Sequence, residues 1–385
     1  MGMHQEQTLN LKIAVLSLAD INNYGDKFFP YIFRSELKAR FPNADIDLYT
    51  NTEYHCELYD TSKYSLPGLA DYDAVILAGG DTIQRLDEEN WNDIYDSFTL
   101  GRKPSDIIFE WLALDKPYKA YFSVGVHPQM QEHRQDILSM LTRLDYLSVR
   151  GCLSKKIIEG SLVYNYNQIR IVPDLGWLFA KYLDRMDQDI PMDGLTSGNY
   201  MVFEVFYEFD DEILRFSAKA LSEFQSETNV KVMLLPIIHT KSKRALSTWN
   251  DYYPLSKIQE YAGGAFLLMP DQLSIANVGF LLKNAKFYLG SSMHGAVTCL
   301  SYGIPAGNIL TWTAPKLQEL HGARMRADCF INHWGKLPGL LRQLNREAED
   351  NTNRGYGKIY ADYMRHRLSQ ELDYLCLEIQ KRRFL

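Results

Sequence analysis

The 385-residue chain predicts an α/β protein made of two Rossmann-like lobes with a cleft between them. Three observations carry this reading. Short apolar runs alternate with amphipathic helical stretches, the pattern of parallel sheets covered by helices. The alternation lapses between about Asp184 and Asn199, where Asp, Gly and Pro accumulate, and then resumes. The length also exceeds what one core usually holds. Residues 1–185 are therefore read as an N-terminal lobe, 186–340 as a C-terminal lobe, and 341–385 as a helical segment packing on both.

In the first lobe, Leu11 to Leu18 reads as a strand, followed by Asn22-Asn23-Tyr24-Gly25-Asp26 and a helix bearing Phe28, Phe29, Ile32, Phe33 and Leu37. Asp26 stands where an N-cap is expected, and Gly25 permits a tight turn. Further strands are Ala44 to Tyr49 and Tyr72 to Ala78, the latter ending on Gly79-Gly80-Asp81. Lys119 to Val126, Tyr146 to Arg150 and Ile169 to Asp174 complete the series. The second lobe offers Tyr200 to Phe206, Val230 to His239, Ala265 to Met269, Phe287 to Leu289 and Gly307 to Leu310. Helix resumes from about Leu337, and Ile359 to Leu385 ends on the basic Lys381-Arg382-Arg383. That end complements a helix dipole, meets an anionic lipid headgroup, or is simply solvated.

The segment Gly290-Ser291-Ser292-Met293-His294-Gly295 stands out among these junctions. It places Ser291, Ser292 and His294 between a strand end and a helix start, where free N–H groups and the helix dipole favour an anion. His294 is the one titratable side chain there, and a capping or core role is the plainer alternative.

Composition excludes several classes. A net charge of −7 argues against a general nucleic-acid binder. The five scattered cysteines form no C-x-x-C pair and suit a reducing cytoplasm. No apolar run approaches the ~20 residues that span a bilayer. Leu11 to Ala19 lacks a basic lead-in and is rejected as a signal core, and Glu6 occupies the place of the Ser/Thr of a myristoylation signal. No residue cluster has metal-ligand spacing, so neither metal nor cofactor is expected.

Several strand-end motifs, in this order, resemble the polysaccharide pyruvyl transferase family. They are Asn23-Tyr24-Gly25-Asp26, Ala78-Gly79-Gly80-Asp81, Ser148-Val149-Arg150, Val172-Pro173-Asp174, Pro236-Ile237-Ile238-His239, Gly290 to Gly295 with Gly303-Ile304-Pro305, and Lys316. The resemblance runs from roughly Ile13 to Leu320. It implies a glycosyltransferase-B-like fold and transfer of pyruvate from phosphoenolpyruvate to a sugar of a polysaccharide or its lipid-linked precursor, usually as a cyclic ketal with release of phosphate. The second lobe would hold the donor and the first the acceptor. His294 would be the acid, helped by an unperturbed pKa near neutrality, with Asp26 as its catalytic companion. Arg150, Ser291, Ser292, His239, Lys316 and Gly295 would surround the donor. Asn23, Gly25, Gly79 and Gly80 would shape the acceptor-side loops. One position departs from the family pattern: Ser292 stands where an arginine often precedes the histidine by two residues, so a donor anion would lose one bidentate partner. Arg150, Lys316, His239 or Lys241 would compensate. A nucleotide-sugar glycosyltransferase and a non-catalytic carbohydrate-binding relative are the competing readings. The expected location is the cytoplasm, with peripheral membrane contact if the acceptor is lipid-linked.

Overall fold

The computed structural model describes residues 10–83, 101–126, 135–160, 168–190, 196–206, 210–238, 250–310 and 315–383. Fourteen strands among these residues form two sheets. The first contains β1 (Lys12–Leu16), β2 (Asp45–Thr50), β3 (Tyr54–His55), β4 (Asp60–Lys63), β5 (Ala74–Ala78), β6 (Tyr118–Val124), β7 (Tyr146–Val149) and β8 (Ile169–Ile171). Its order is β3-β4-β2-β1-β5-β6-β7-β8, parallel except between β3 and β4. The second contains β9 (Tyr200–Glu204), β10 (Lys231–Leu234), β11 (Leu267–Leu268), β12 (Tyr288–Gly290), β13 (Ala306–Ile309) and β14 (Phe330–Ile331), in the all-parallel order β11-β10-β9-β12-β13-β14.

Alternate residues of the central strands face opposite ways. Ile13 and Val15 of β1 join one core cluster while Ala14 and Leu16 join another, which is why these strands read as unbroken apolar runs. The cluster containing Ile13 does not stop at the lobe boundary. It continues through Phe28, Phe29 and Phe179 to Val202, Val297 and Leu300 of the second lobe. The lobes therefore share one packed core.

Reversals of strand order mark where a crevice can form between the loops. Strand order turns back between β1 and β5 in the first sheet and between β9 and β12 in the second. At such switch points the loops diverge and leave a crevice at the carboxyl ends of the strands. The C-terminal helix, Asn351–Arg383, ties the two lobes together over about 50 Å. It meets Gly303 of the second lobe through Gly357. Farther along, Asp373 pairs with Arg40 at 2.7 Å and Glu371 with Arg170 at 2.7 Å in the first.

Three features differ from the sequence reading. β3, β4 and β14 have two to four residues each and carry too little periodicity to be read. The C-terminal region, read as helix from about Leu337, is two helices, Leu337–Glu349 and Asn351–Arg383, broken at Asp350. Asp26 is not an N-cap: Asn23 caps the helix Tyr24–Arg40, its Oδ1 accepting from the Gly25 N–H at 3.1 Å. Among the described residues no helix is long and apolar enough to cross a membrane.

Phe179 is the keystone of the shared core. It is fully buried, and its ring lies 4.8 Å from Phe28, 5.7 Å from Phe29 and 5.7 Å from Tyr24. Phe179→Ala is expected to cost about 3–5 kcal/mol of unfolding free energy in urea titrations; a loss below about 1 kcal/mol would mean that the lobes do not depend on this packing.

Candidate active site at the contact between the lobes

The helix Tyr24–Arg40 begins directly against the second lobe. The Tyr24 N–H donates to the Ile237 carbonyl at 3.0 Å, Asn23 forms an antiparallel bridge with Ile238, and the Tyr24 hydroxyl lies 3.3 Å from Thr298 Oγ1. Gly25 abuts His294 so closely that a Cβ there would overlap the imidazole. Glycine is required at 25 for this approach. Because Asn23 performs the capping, Asp26 falls in the first helical turn with its carboxylate free for other work.

The end of β5 brings the opposing wall. Gly79 and Gly80 both take left-handed φ values, 69° and 74°, conformations that cost most other residues about 1–2 kcal/mol. A Cβ on Gly79 would lie 2.9 Å from the Phe29 ring, and one on Gly80 3.1 Å from Asp26 Oδ1. The pair thus lets the helix dock onto the strand end and brings Asp81 beside Asp26.

Arg150, after β7, is the central cation. Its side chain is 3 % exposed, with Nη2 2.9 Å from Asp81 and Nη1 3.4 Å from Asp174. Its Nε is buried without a hydrogen-bond partner. Gly125 leaves room for the ion pair, since a Cβ there would overlap both Asp81 and Arg150. Lys316, on the helix Pro315–Ala323, reaches the other oxygen of Asp81 at 3.2 Å. One carboxylate from the first lobe therefore bridges cations from both. A cavity of about 540 Å³ opens beside Arg150 and Lys316, walled by Trp177, Met293, Tyr360 and Tyr363.

The protein's own carboxylates fill two helix starts at this contact. Glu204, fully buried at the end of β9, accepts the backbone N–H of Ser291 and of Ser292 at 2.8 Å each, the Ser291 hydroxyl at 2.9 Å and the Tyr288 hydroxyl at 2.9 Å. The Ser292 Oγ accepts from Gly295 N at 3.3 Å. This corrects the expectation for Ser291, Ser292 and Gly295: both Ser291 donors and the Ser292 N–H already serve Glu204, and the Gly295 N–H serves the helix cap. Glu319, from the second lobe, likewise accepts the Leu153 N–H at the start of the helix Cys152–Glu159. Asp251 lies against Glu204 and accepts from Ile238 N at 3.0 Å. Burial, then the Glu204 charge, raises the Asp251 pKa well above the usual carboxylate range. Glu204 has four donors to stabilise its charge, so the shared proton belongs on Asp251.

The electrostatics reverse the expected proton inventory. Burial lowers His294 to a pKa of about 4, with Arg150 and Lys316 reinforcing the shift and Asp174 and Asp81 opposing it. Its Nε2 is buried without a partner, and its ring stands edge-on to Phe29 at 5.0 Å. The ring is neutral at pH 7 and not the imidazolium that its ordinary pKa suggested. Burial raises Asp26 to about 7, against the pull of Lys316 and Arg150. Asp26, not His294, holds a proton near neutrality.

Asp26, Arg150, His294 and Lys316 thus converge, while Asn23, Gly25, Gly79 and Gly80 shape the backbone that lets them. His239 and Lys241 lie outside the described residues. Asp81 and Asp174 entered the sequence reading only as members of strand-end motifs; Asp174 both pairs with Arg150 and caps Leu175–Leu178 through Gly176 N at 2.7 Å. Glu204 and Glu319 went unread, since neither belongs to a local motif. Among the described residues, Asp328, Cys329 and Glu347 are grouped closely enough to suggest a metal, but Arg326 already bridges the two carboxylates.

Two parallel-sheet lobes joined over a charged cluster define a glycosyltransferase-B-like protein, and solved structures share that architecture. A UDP-N-acetylglucosamine 2-epimerase described as putative, from Listeria monocytogenes, superposes with a TM-score of 0.60 at 10% identity, covering 92% of this chain and 94% of that one. The UDP-GlcNAc 2-epimerase from Neisseria meningitidis bound to UDP-GlcNAc gives 0.56 at 10% identity, over 96% and 100%. The alpha,alpha-trehalose 6-phosphate synthase from Burkholderia multivorans gives 0.57 at 10% identity, over 97% and 99%. At such identity the likeness speaks for the fold alone. The chain belongs to the polysaccharide pyruvyl transferase family, whose sequence model matches residues 23–311. No curated protein matches the sequence closely enough to add to this.

The two perturbed groups act oppositely on stability. Native Asp26 keeps its proton up to about pH 7, so its contribution falls as pH rises from about 4 to 7. Native His294 resists protonation down to about pH 4, so its contribution rises from about pH 4 to 6.5. Asp26→Asn is therefore expected to be more stable than the parent at pH 8, with the gap narrowing toward pH 4.5. Urea unfolding at the two values tests this, and a gap that does not change with pH would mean that Asp26 ionises normally.

Proposed function

We propose that the chain transfers pyruvate from phosphoenolpyruvate to a sugar residue of a polysaccharide or its lipid-linked precursor, closing a ketal and releasing phosphate. Family membership supplies the reaction class. The observation that most supports the donor is the buried guanidinium of Arg150, with its unpartnered Nε, next to Lys316 and sharing Asp81 with it. A donor bearing a phosphate and a carboxylate would compete with Asp81 for both cations. Lys316 thereby takes the place of the arginine replaced by Ser292.

In this scheme Asp26 gives its proton to C3 of the donor, and His294 Nε2 takes the proton of the attacking sugar hydroxyl, whose oxygen bonds to C2. A second hydroxyl then attacks C2, and the C2–O bond to phosphate breaks with its electron pair. The second hydroxyl's proton restores Asp26, and the proton held by His294 leaves with phosphate. The overall change is donor plus diol to ketal plus hydrogen phosphate. No cofactor is needed. The enzyme would work in the cytoplasm, at the inner membrane face if its acceptor is lipid-linked.

The nucleotide-sugar reading fares worse for one reason. The N–H groups at the β12 switch point, where a diphosphate would sit, are occupied by Glu204. UDP-sugars are expected to show no saturable binding by calorimetry.

The reaction is tested by incubating the protein with phosphoenolpyruvate and galactose-, mannose- or glucose-terminated acceptors, following phosphate release and product mass. Asp26→Asn and His294→Gln should each lower kcat by about 10²–10⁴-fold, and Arg150→Lys should lower kcat/KM for the donor about 10–100-fold. The kcat/KM profile should decline above about pH 7, as Asp26 ionises, and below about pH 4, as His294 protonates. Turnover of a nucleotide sugar but not of phosphoenolpyruvate would overturn the proposal. Glycan binding without any turnover would point to the binding-protein alternative.

A further inference from the structure

A second cavity, about 580 Å³, shares the side chains of Tyr360 and Tyr363 with the one beside Arg150 but is lined by none of Asp26, Arg150, His294 and Lys316. It forms where the C-terminal helix crosses the segment before β13. The crossing is a glycine contact: a Cβ on Gly357 would lie 3.1 Å from Gly303 Cα, and Gly303 itself has a φ of 74°. Leu300 and Pro305 supply apolar wall, and Tyr356, Tyr360 and Tyr363 supply aromatic wall.

Arg324 stands in this wall with no ion pair to it among the described residues. Its Nη1 is buried without a hydrogen-bond partner, the Tyr360 ring centre lies 5.9 Å from Cζ, and Cys329, Arg326 and Glu347 stand near enough to feel its charge. The neighbouring Arg326 is the contrast: it is bound by Asp328 and by both oxygens of Glu347. Glu347 thereby spends its hydrogen bonds on Arg326 and acts on Arg324 only through its charge. Arg324 is thus the cation lining the cavity that no carboxylate among the described residues pairs with, whereas Arg326 has two. One unpaired planar fork matches a singly charged carboxylate better than a phosphate dianion. Tyrosines, with apolar ring faces and a hydroxyl each, suit a sugar, which has an apolar C–H face and a rim of hydroxyls.

We infer that this cavity binds a carboxylate-bearing sugar residue, a hexuronate or a pyruvate ketal, with its carboxylate on Arg324 and its ring against the tyrosines. The choice of a glycan rests on the proposed function, but the site does not take part in the transfer. It would hold an acidic residue of the glycan while another residue of that chain meets Arg150.

The test reads binding by the full-length protein, independently of turnover. Saturation-transfer NMR and calorimetry would compare methyl glucuronide, the methyl glycoside of 4,6-pyruvylated galactose, methyl galactoside and inorganic phosphate. At least one acidic sugar should bind, and which one does identifies the source of the carboxylate. Arg324→Gln should weaken that binding about 10–100-fold, and Arg324→Lys should recover part of it. Phosphate release with a short neutral acceptor should be unchanged in Arg324→Gln. Should Arg324→Gln not fold, Tyr356→Ala, at a position 68% exposed, should fold and weaken binding several-fold. The inference is overturned if neither acidic sugar binds, if methyl galactoside binds equally well, if phosphate binds more tightly than either acidic sugar, or if the folded variants bind like the parent.

Discussion

The structure depends on one close approach. The first turn of the helix Tyr24–Arg40 presses against the first turn of Met293–Ser301, with Gly25 on the His294 ring. Any side chain at 25 would push the helices apart. That contact seats Asp26 beside Asp81 and buries His294 among Phe29 and Phe179. The same burial that closes the core between the lobes also sets the protonation of both groups, because a charge surrounded by protein is costly unless it is paired. Packing and proton chemistry are thus one constraint here.

A second principle is the use of internal carboxylates where ligands are usually expected. Glu204 occupies the donors after β12, Glu319 those at the start of Cys152–Glu159, and Asp81 bridges Arg150 and Lys316. Only the last of these is a pair of ions at the cavity that an entering anion could divide. Glu204 is locked by four donors and backed by Asp251, whose pKa burial and the Glu204 charge raise. This arrangement leaves Arg150 and Lys316, and not the switch point of the second sheet, as the place where the proposed anionic donor would enter.

The legible part of the fold was its periodic part. β1, β5, β6 and β10 carry continuous apolar runs because both faces are covered, and the glycines after β5 announced a tight strand end. Illegible were β3, β4 and β14, too short to show a period, and the break at Asp350 between the two C-terminal helices. The second helix forms although Gly355 and Gly357 each weigh against it by about 1 kcal/mol. The contact with Gly303 shows what the glycine at 357 is for.

By itself the sequence determined the two-lobed α/β architecture, the family, and the set of strand-end residues from which the site is drawn. Local motifs carry that information because turns and helix starts restrict residue type over a few positions. Only the tertiary structure decided that Asn23 caps in place of Asp26, that Glu204 consumes the Ser291 and Ser292 donors, and that His294 is neutral while Asp26 holds a proton. Each of these follows from contacts between residues far apart in the chain, and from desolvation that exists only once both lobes have packed.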